Sequence, residues 1–147
     1  MNKLSKFLTA VLIVFTANSA IANDKVITFN QLPSKAQKFI KTFFSQADIL
    51  TVTEETEYLV QKEYTVILND GSKIEFDSNG EWEKVDAHTK SMPVKIVPGS
   101  ILSHVKKSFP NTFVKEIKKS TNKYEVEISN GLELEFNRKG EFIRIDD

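Results

Sequence analysis

Residues 74–86 read IEFDSNGEWEKVD, and residues 134–146 read LEFNRKGEFIRID. The match continues outward at one constant offset, with Tyr64 on Tyr124, Gly71 on Gly131, Gly80 on Gly140 and Asp86 on Asp146. Upstream, Leu32-Pro33 falls on Val97-Pro98 and Phe44 on Phe109 at a slightly larger offset, so the first copy carries extra residues between Asp48 and Tyr64. Self-similarity at this period marks a supersecondary unit used twice. That feature restricts the fold more than composition does, because each copy must offer the same faces to its surroundings.

Each copy opens on a helical pattern. Ala36, Phe39, Ile40, Phe43 and Ala47 recur at helical spacing with Lys35, Lys38 and Lys41 turned away, and Pro33 suits the first turn. Ile101, Leu102, Val105 and Phe109 repeat the stripe, and Pro110 stops it. Burying each large apolar side chain is worth about 1.5–3 kcal/mol, so both stripes need a surface to cover.

Strands supply it. "YTVIL" and "YEVEI" alternate, and their return strands carry Ile74 and Phe76, then Leu132, Leu134 and Phe136. A three-residue loop at Ser129–Gly131 pairs Ile128 with Leu132, Val126 with Leu134 and Tyr124 with Phe136, which keeps the apolar residues on one face. The next turn has two readings. A two-residue loop at Asn79-Gly80 pairs Glu75 with Lys84, and its counterpart pairs Glu135 with Arg144. It leaves Trp82 and Phe142 on the open face. The Asp77–Gly80 pattern of a type I turn closed by a glycine bulge puts both aromatics beside Phe76 and Phe136.

With "ILTVTEETE" and "FVKEIKK" as further strands, the expected fold is α+β. It consists of two tandem units, each one helix followed by a four-stranded antiparallel sheet, with the helices packed on one sheet face. The expected boundaries are residues 23–86 for the first repeat, 87–95 for a linker and 96–147 for the second repeat.

Residues 1–22 read differently. Lys3 and Lys6 precede the apolar run Phe7 to Ala17, and "AIA" at residues 20–22 offers a cleavage site, the grammar of a secretory signal peptide. The run falls short of the about 20 residues a membrane-spanning helix needs. Cleavage after Ala22 and export to a periplasm, or secretion, are expected. The chain has no cysteine, so packing alone must hold it in an oxidising compartment. Its 20 basic and 20 acidic residues balance, and losing Lys3 and Lys6 tips the remainder slightly acidic. No basic excess points to nucleic acid.

The leader, the Pro-opened helices and the run "YxVxLxDGxxIEFDxxGxW" resemble the PepSY-like, beta-lactamase-inhibitor-like proteins exported by Gram-negative bacteria. The second copy has Asn137 where the first has Asp77 and Phe142 where it has Trp82. The resemblance covers 32–86 and 97–146. It implies a sheet with helices on one face and an open opposite face, a binding or inhibitory role, and no catalytic residues.

Chemistry-bearing patterns are sparse. His88 and His104 stand in the linker and on the polar side of the second helix, without a serine motif or H-E-x-x-H beside them. "DSNGEWEKVD" has Trp82 where a calcium-binding EF-hand loop needs glycine. The chosen register does place Glu127 opposite Glu133 and Glu125 opposite Glu135, and like charges so placed destabilise a sheet. Lys118, Lys123 and Arg144 are available to relieve them. Otherwise the cluster meets a basic partner or a divalent cation. Trp82 and Phe142 are then candidate aromatic anchors for a partner, or members of the core.

The expected function is a non-enzymatic exported module, without cofactor or resident metal, that binds an envelope protein or peptide through the open sheet face. Its candidate residues are Trp82, Phe142, Glu125, Glu127, Glu133 and Glu135. An envelope metal-buffering or stress role for the acidic face is the alternative.

Overall fold

The computed structural model describes residues 24–58 and 60–146. The leader and its expected cleavage site lie outside them. The strands are β1 (Lys25–Val26), β2 (Ile49–Glu57), β3 (Gln61–Leu68), β4 (Lys73–Phe76), β5 (Trp82–Asp86), β6 (Val114–Lys119), β7 (Lys123–Ile128), β8 (Glu133–Asn137) and β9 (Phe142–Asp146). Helix α1 (Ser34–Phe43) lies between β1 and β2, and α2 (Gly99–Ser108) between β5 and β6. Pro33 and Pro98 stand immediately before the two helices.

Among the described residues all nine strands form one antiparallel sheet in sequence order. This corrects the expected division into two units of a helix plus a four-stranded sheet. Strand β5 pairs with β6 through Lys84↔Lys118, Val85↔Ile117 and Asp86↔Glu116, and β1 adds a ninth strand beside β2. Two separate sheets would leave β5 and β6 with rows of unpaired N–H and C=O groups. Pairing them satisfies those groups and carries one apolar face across the joint.

That face can be followed residue by residue. Val52, Val66, Ile74, Val85, Ile117, Val126, Leu134 and Ile145 stand opposite one another on successive strands β2 to β9. The interior six, Val66 to Leu134, are fully buried. The helices cover this row with Ala36, Ile40, Ile101 and Val105. Phe39 of α1 meets Phe76 edge-on at 5.6 Å, and His104 of α2, expected on the polar side of that helix, instead faces the sheet and meets Phe136 edge-on at 5.5 Å. The segment after β5 joins the same core through buried Ala87, Met92, Ile96 and Val97.

The three-residue loops form as the alternation requires. Leu68 N–H donates to the Ser72 carbonyl and Ile128 N–H to the Leu132 carbonyl, with Gly71 and Gly131 left-handed at φ +89° and +88°. At the β4–β5 turn both readings prove partly right. Gly80 N–H donates to the Asp77 carbonyl with φ +80°, so the glycine-closed turn is present and Trp82 stands opposite Phe76. A bulge at Glu83 then shifts the register, and Lys84 stands opposite Glu75. The extra residue lets Trp82 and Val85 share the helix face although three positions separate them. The β8–β9 turn repeats this, with Phe136↔Phe142, a shift at Ile143, and Glu135↔Arg144.

Each of these turns sits against a helix start. A Cβ on Gly80 would stand 2.7 Å from the Pro33 Cβ and 3.0 Å from the Ala36 nitrogen, and one on Gly140 would stand 1.9 Å from the Ser100 Oγ. Lys35 closes the first contact with a 2.6 Å salt bridge to Glu81.

Candidate functional site

The face without helices is where the charged side chains of β5 to β9 collect, because alternation sends every second residue there. Strand pairing aligns Asp86, Glu116, Glu127, Glu133 and Asp146 opposite one another across β5 to β9. At the usual strand separation this acidic row is about 19 Å long. The adjacent row is mixed: Lys84, Lys118, Glu125, Glu135 and Arg144. A further like-charged pair, Glu55↔Glu63, lies between β2 and β3. Burial, then the carboxylates of Glu57, Glu83, Glu55 and Glu75, push the Glu63 carboxyl above its ordinary range.

Cations relieve part of this repulsion. Lys123 reaches Glu125 at 2.8 Å and Glu135 at 3.4 Å, Lys118 reaches Glu125 at 3.7 Å, and Arg144 reaches Glu135 at 3.0 Å. The Lys123 hydrogen bond holds Glu125 below its ordinary value, and the Arg144 bond does the same for Glu135. In the acidic row Lys84 pairs with Glu116 at 2.8 Å and Lys115 with Glu127 at 2.7 Å. Among the described residues no salt bridge reaches Glu133. Carboxylate oxygens of Glu125, Glu133 and Asp146 lie within 4.8 Å of one another.

The six candidates therefore separate. Glu125, Glu127, Glu133 and Glu135 share the open face, in the pairs Glu125↔Glu135 and Glu127↔Glu133. Trp82 and Phe142 lie on the opposite, helix-bearing face. Trp82 is half-buried, 6.1 Å from the Phe39 ring, with the Lys119 Nζ 4.4 Å above its own ring. Phe142 stacks on His104 at 4.4 Å and 13°. Neither aromatic can anchor the same partner surface as the glutamates. The sequence reading missed Asp86, Glu116 and Asp146. The Glu135–Arg144 register already implied that Asp146 faces Glu133, whereas Asp86 and Glu116 meet only through the β5–β6 joint.

Hollows lie elsewhere, one of about 390 Å³ between Phe39, Phe43 and Trp82. A cleft of about 760 Å³ between the end of α1 and residues 87–93 contains the Asp70–Lys90 ion pair. The Lys90 hydrogen bond, with help from Ser72, lowers the Asp70 carboxyl to about 2. A carboxylate held that low is a poor general acid or base near neutrality. An apolar pocket of about 550 Å³ is lined by Met92, Val97, Leu102, Val105 and Phe113. Among the described residues no helix is long and apolar enough to cross a membrane.

Comparison with known proteins places this arrangement among relatives. The family model described as "Putative beta-lactamase-inhibitor-like, PepSY-like" matches residues 18–61 and 62–144. Similar solved structures include a "putative periplasmic protein from DUF2874 family" of Bacteroides vulgatus. It is 38% identical with a TM-score of 0.79, over 85% of this chain and 98% of that one. A "putative calcium-regulated periplasmic protein" of Bacteroides thetaiotaomicron is 40% identical with a TM-score of 0.80, over 84% of this chain and 97% of that one. A third, a B. vulgatus periplasmic protein of unknown function, is 32% identical with a TM-score of 0.79, over 85% and 100%. No curated protein matches.

Proposed function

The chain belongs to the PepSY-like family and is periplasmic, and on that footing we propose that it is a non-enzymatic binding module for a basic protein segment. The open face of β5 to β9 is the binding surface. The observation that carries this reading is the row Asp86, Glu116, Glu127, Glu133, Asp146. Holding acids opposite one another is unfavourable for the sheet itself, and lysines or arginines of a partner relieve it. Charge complementarity of this kind raises association rates and selects partners more than it adds raw affinity. Binding should therefore weaken steeply with salt.

The test uses a synthetic peptide alternating lysine and threonine, titrated into the purified exported protein by calorimetry. Saturable, salt-sensitive binding is expected, with loss of at least about tenfold in affinity when Glu127 and Glu133 become Gln. Equal binding of a glutamate–threonine peptide, or no effect of the double substitution, would sink the proposal.

A second reading has its own observation. The convergence of Glu125, Glu133 and Asp146 resembles an oxygen-ligand set for a hard divalent cation, and one relative is described as calcium-regulated. Calcium bound to the folded state alone must raise the melting temperature. Glu133→Gln with Asp146→Asn should abolish that rise. A melting temperature unmoved up to millimolar calcium removes this reading and leaves the first intact.

A further inference from the structure

The buried apolar row across the sheet ends differently at its two edges. Beside β2, Val52 is 3% exposed, and Ile27, whose N–H donates to the Val52 carbonyl, is 7% exposed and closes the row. At the other edge the row stops at Ile145, which is 42% exposed. Ile143 and Phe142 on the same short strand are 51% and 39% exposed. Among the described residues no strand pairs with the outer side of β9.

Edge strands are normally blunted by bulges and charges. Strand β9 has both, a bulge at Ile143 and a charge at Arg144, but β5 shows that neither blocks pairing here. Strand β5 carries the same bulge at Glu83 and the charge of Lys84, and it nevertheless accepts β6 along its outer side. Where β5 has Glu83 at its bulge, β9 has the apolar Ile143. The outer side of β9 is therefore a pairing edge with an apolar rim.

We propose that the occupant of this edge is a second copy of the chain, its β9 running antiparallel to the first about a two-fold axis at Ile145. In that register Ile145 meets its own counterpart on the helix face and prolongs the apolar row. Arg144 of each copy stands opposite Asp146 of the other on the open face, so the Arg144–Asp146 pairing that each chain makes within itself at 3.2 Å extends across the junction and both charge pairs there are complementary. Centring on Arg144 instead would oppose two arginines and set Ile143 against Ile145, which belong to different parts of the bulged strand. The contact is isologous and closes on itself as a dimer. It joins two nine-stranded sheets into one and brings the acidic rows of both copies onto a common face, whether or not they bind the basic segment proposed above.

The chain has no cysteine, which permits a direct test. Opposed residues in an antiparallel pair have Cα atoms about 4.5–5.5 Å apart, inside the range a disulfide spans. Ile145→Cys should give a disulfide-linked dimer under mild oxidation, well ahead of Ile143→Cys, although Ile143 is the more exposed of the two. Sedimentation equilibrium should show a concentration-dependent dimer for the unmodified exported protein. Arg144→Asp and Asp146→Arg should each weaken self-association by about tenfold. An equimolar mixture of the two should restore it, because both cross-junction pairs then become complementary. A chain that stays monomeric to millimolar concentration overturns the proposal. So does equal cross-linking at the two cysteine positions, or a mixture that associates no better than its components.

Discussion

Strands β5 and β9 are nearly the same words, GEWEKVD and GEFIRID, built into the same bulged hairpin. Their fates differ. In β5, Val85 is fully buried between Ile74 and Ile117, whereas its counterpart Ile145 in β9 has Leu134 on one side only and stays 42% exposed. Trp82 is held between Phe39 and Lys119, and Phe142 between Phe136 and His104 at the margin of the molecule. Local sequence thus determines the hairpin, its glycine turn and its bulge. The neighbouring strand determines how much stability each side chain contributes.

The largest expected contrast lies in charge placed at the two equivalent positions. Val85→Asp should cost about 4 kcal/mol or more, since a buried carboxylate there has no partner. Ile145→Asp in dilute protein should cost under about 1 kcal/mol, as surface changes usually do. Urea unfolding measures both, and equal losses would break the comparison.

The turn glycines sharpen it. Gly80→Ala and Gly140→Ala both force a side chain into the left-handed region, worth about 1–3 kcal/mol of strain. Gly80 meets a proline ring and a backbone nitrogen, which cannot move aside, while Gly140 meets the exposed and rotatable Ser100. Gly80→Ala should therefore be the more destabilising, and Gly131→Ala, with open space around it, the least. Thermal unfolding of the three variants tests that order.

A smaller effect concerns Trp82, the single tryptophan. Packed against Phe39 and covered by Lys119, it should emit to the blue of free indole and be quenched only weakly by iodide. Phe142→Trp in a Trp82→Phe background should be the more quenchable of the two, since β9 lies at the edge. Identical quenching would mean that β5 is as open as β9.

The smallest effect is at Asp70. Its carboxyl is held at about 2, below the ordinary value of about 3.9. The Asp70–Lys90 pair therefore contributes stability above pH 4 and loses it as pH falls from about 4 to about 2. Both groups are substantially exposed, so Asp70→Asn should cost under about 1 kcal/mol at pH 7. It should also flatten the acid limb of the stability curve in that window.

The turns and the glutamate pairs were legible because both are local. Gly71 and Gly131 close loops whose length follows from keeping Val66, Leu68, Val126 and Ile128 on one face. The bulge was not. The two-residue loop and the glycine-closed turn each explained half the pattern around Trp82 and Val85, and only an inserted residue reconciles them. Division into two helix-plus-four-strand units failed for another reason. The joint between β5 and β6 links strands separated by α2, and nothing in the alternation of either strand specifies its partner. The acidic row was hidden with it, since Asp86 and Glu116 face each other only through that joint. Placing Trp82 and Phe142 with the glutamates was one of two open readings, and the bulge sends both aromatics to the other side.

Backbone amide exchange tests the difference between the two strands most directly. Paired on both sides, β5 should show slow exchange at every amide from Lys84 to Asp86. In dilute protein, β9 should alternate, with inward amides slow and outward ones close to the rate of an unstructured chain. Alternating fast exchange in β5 would contradict the account, because it would mean that β6 does not close that edge and the nine strands are not one sheet.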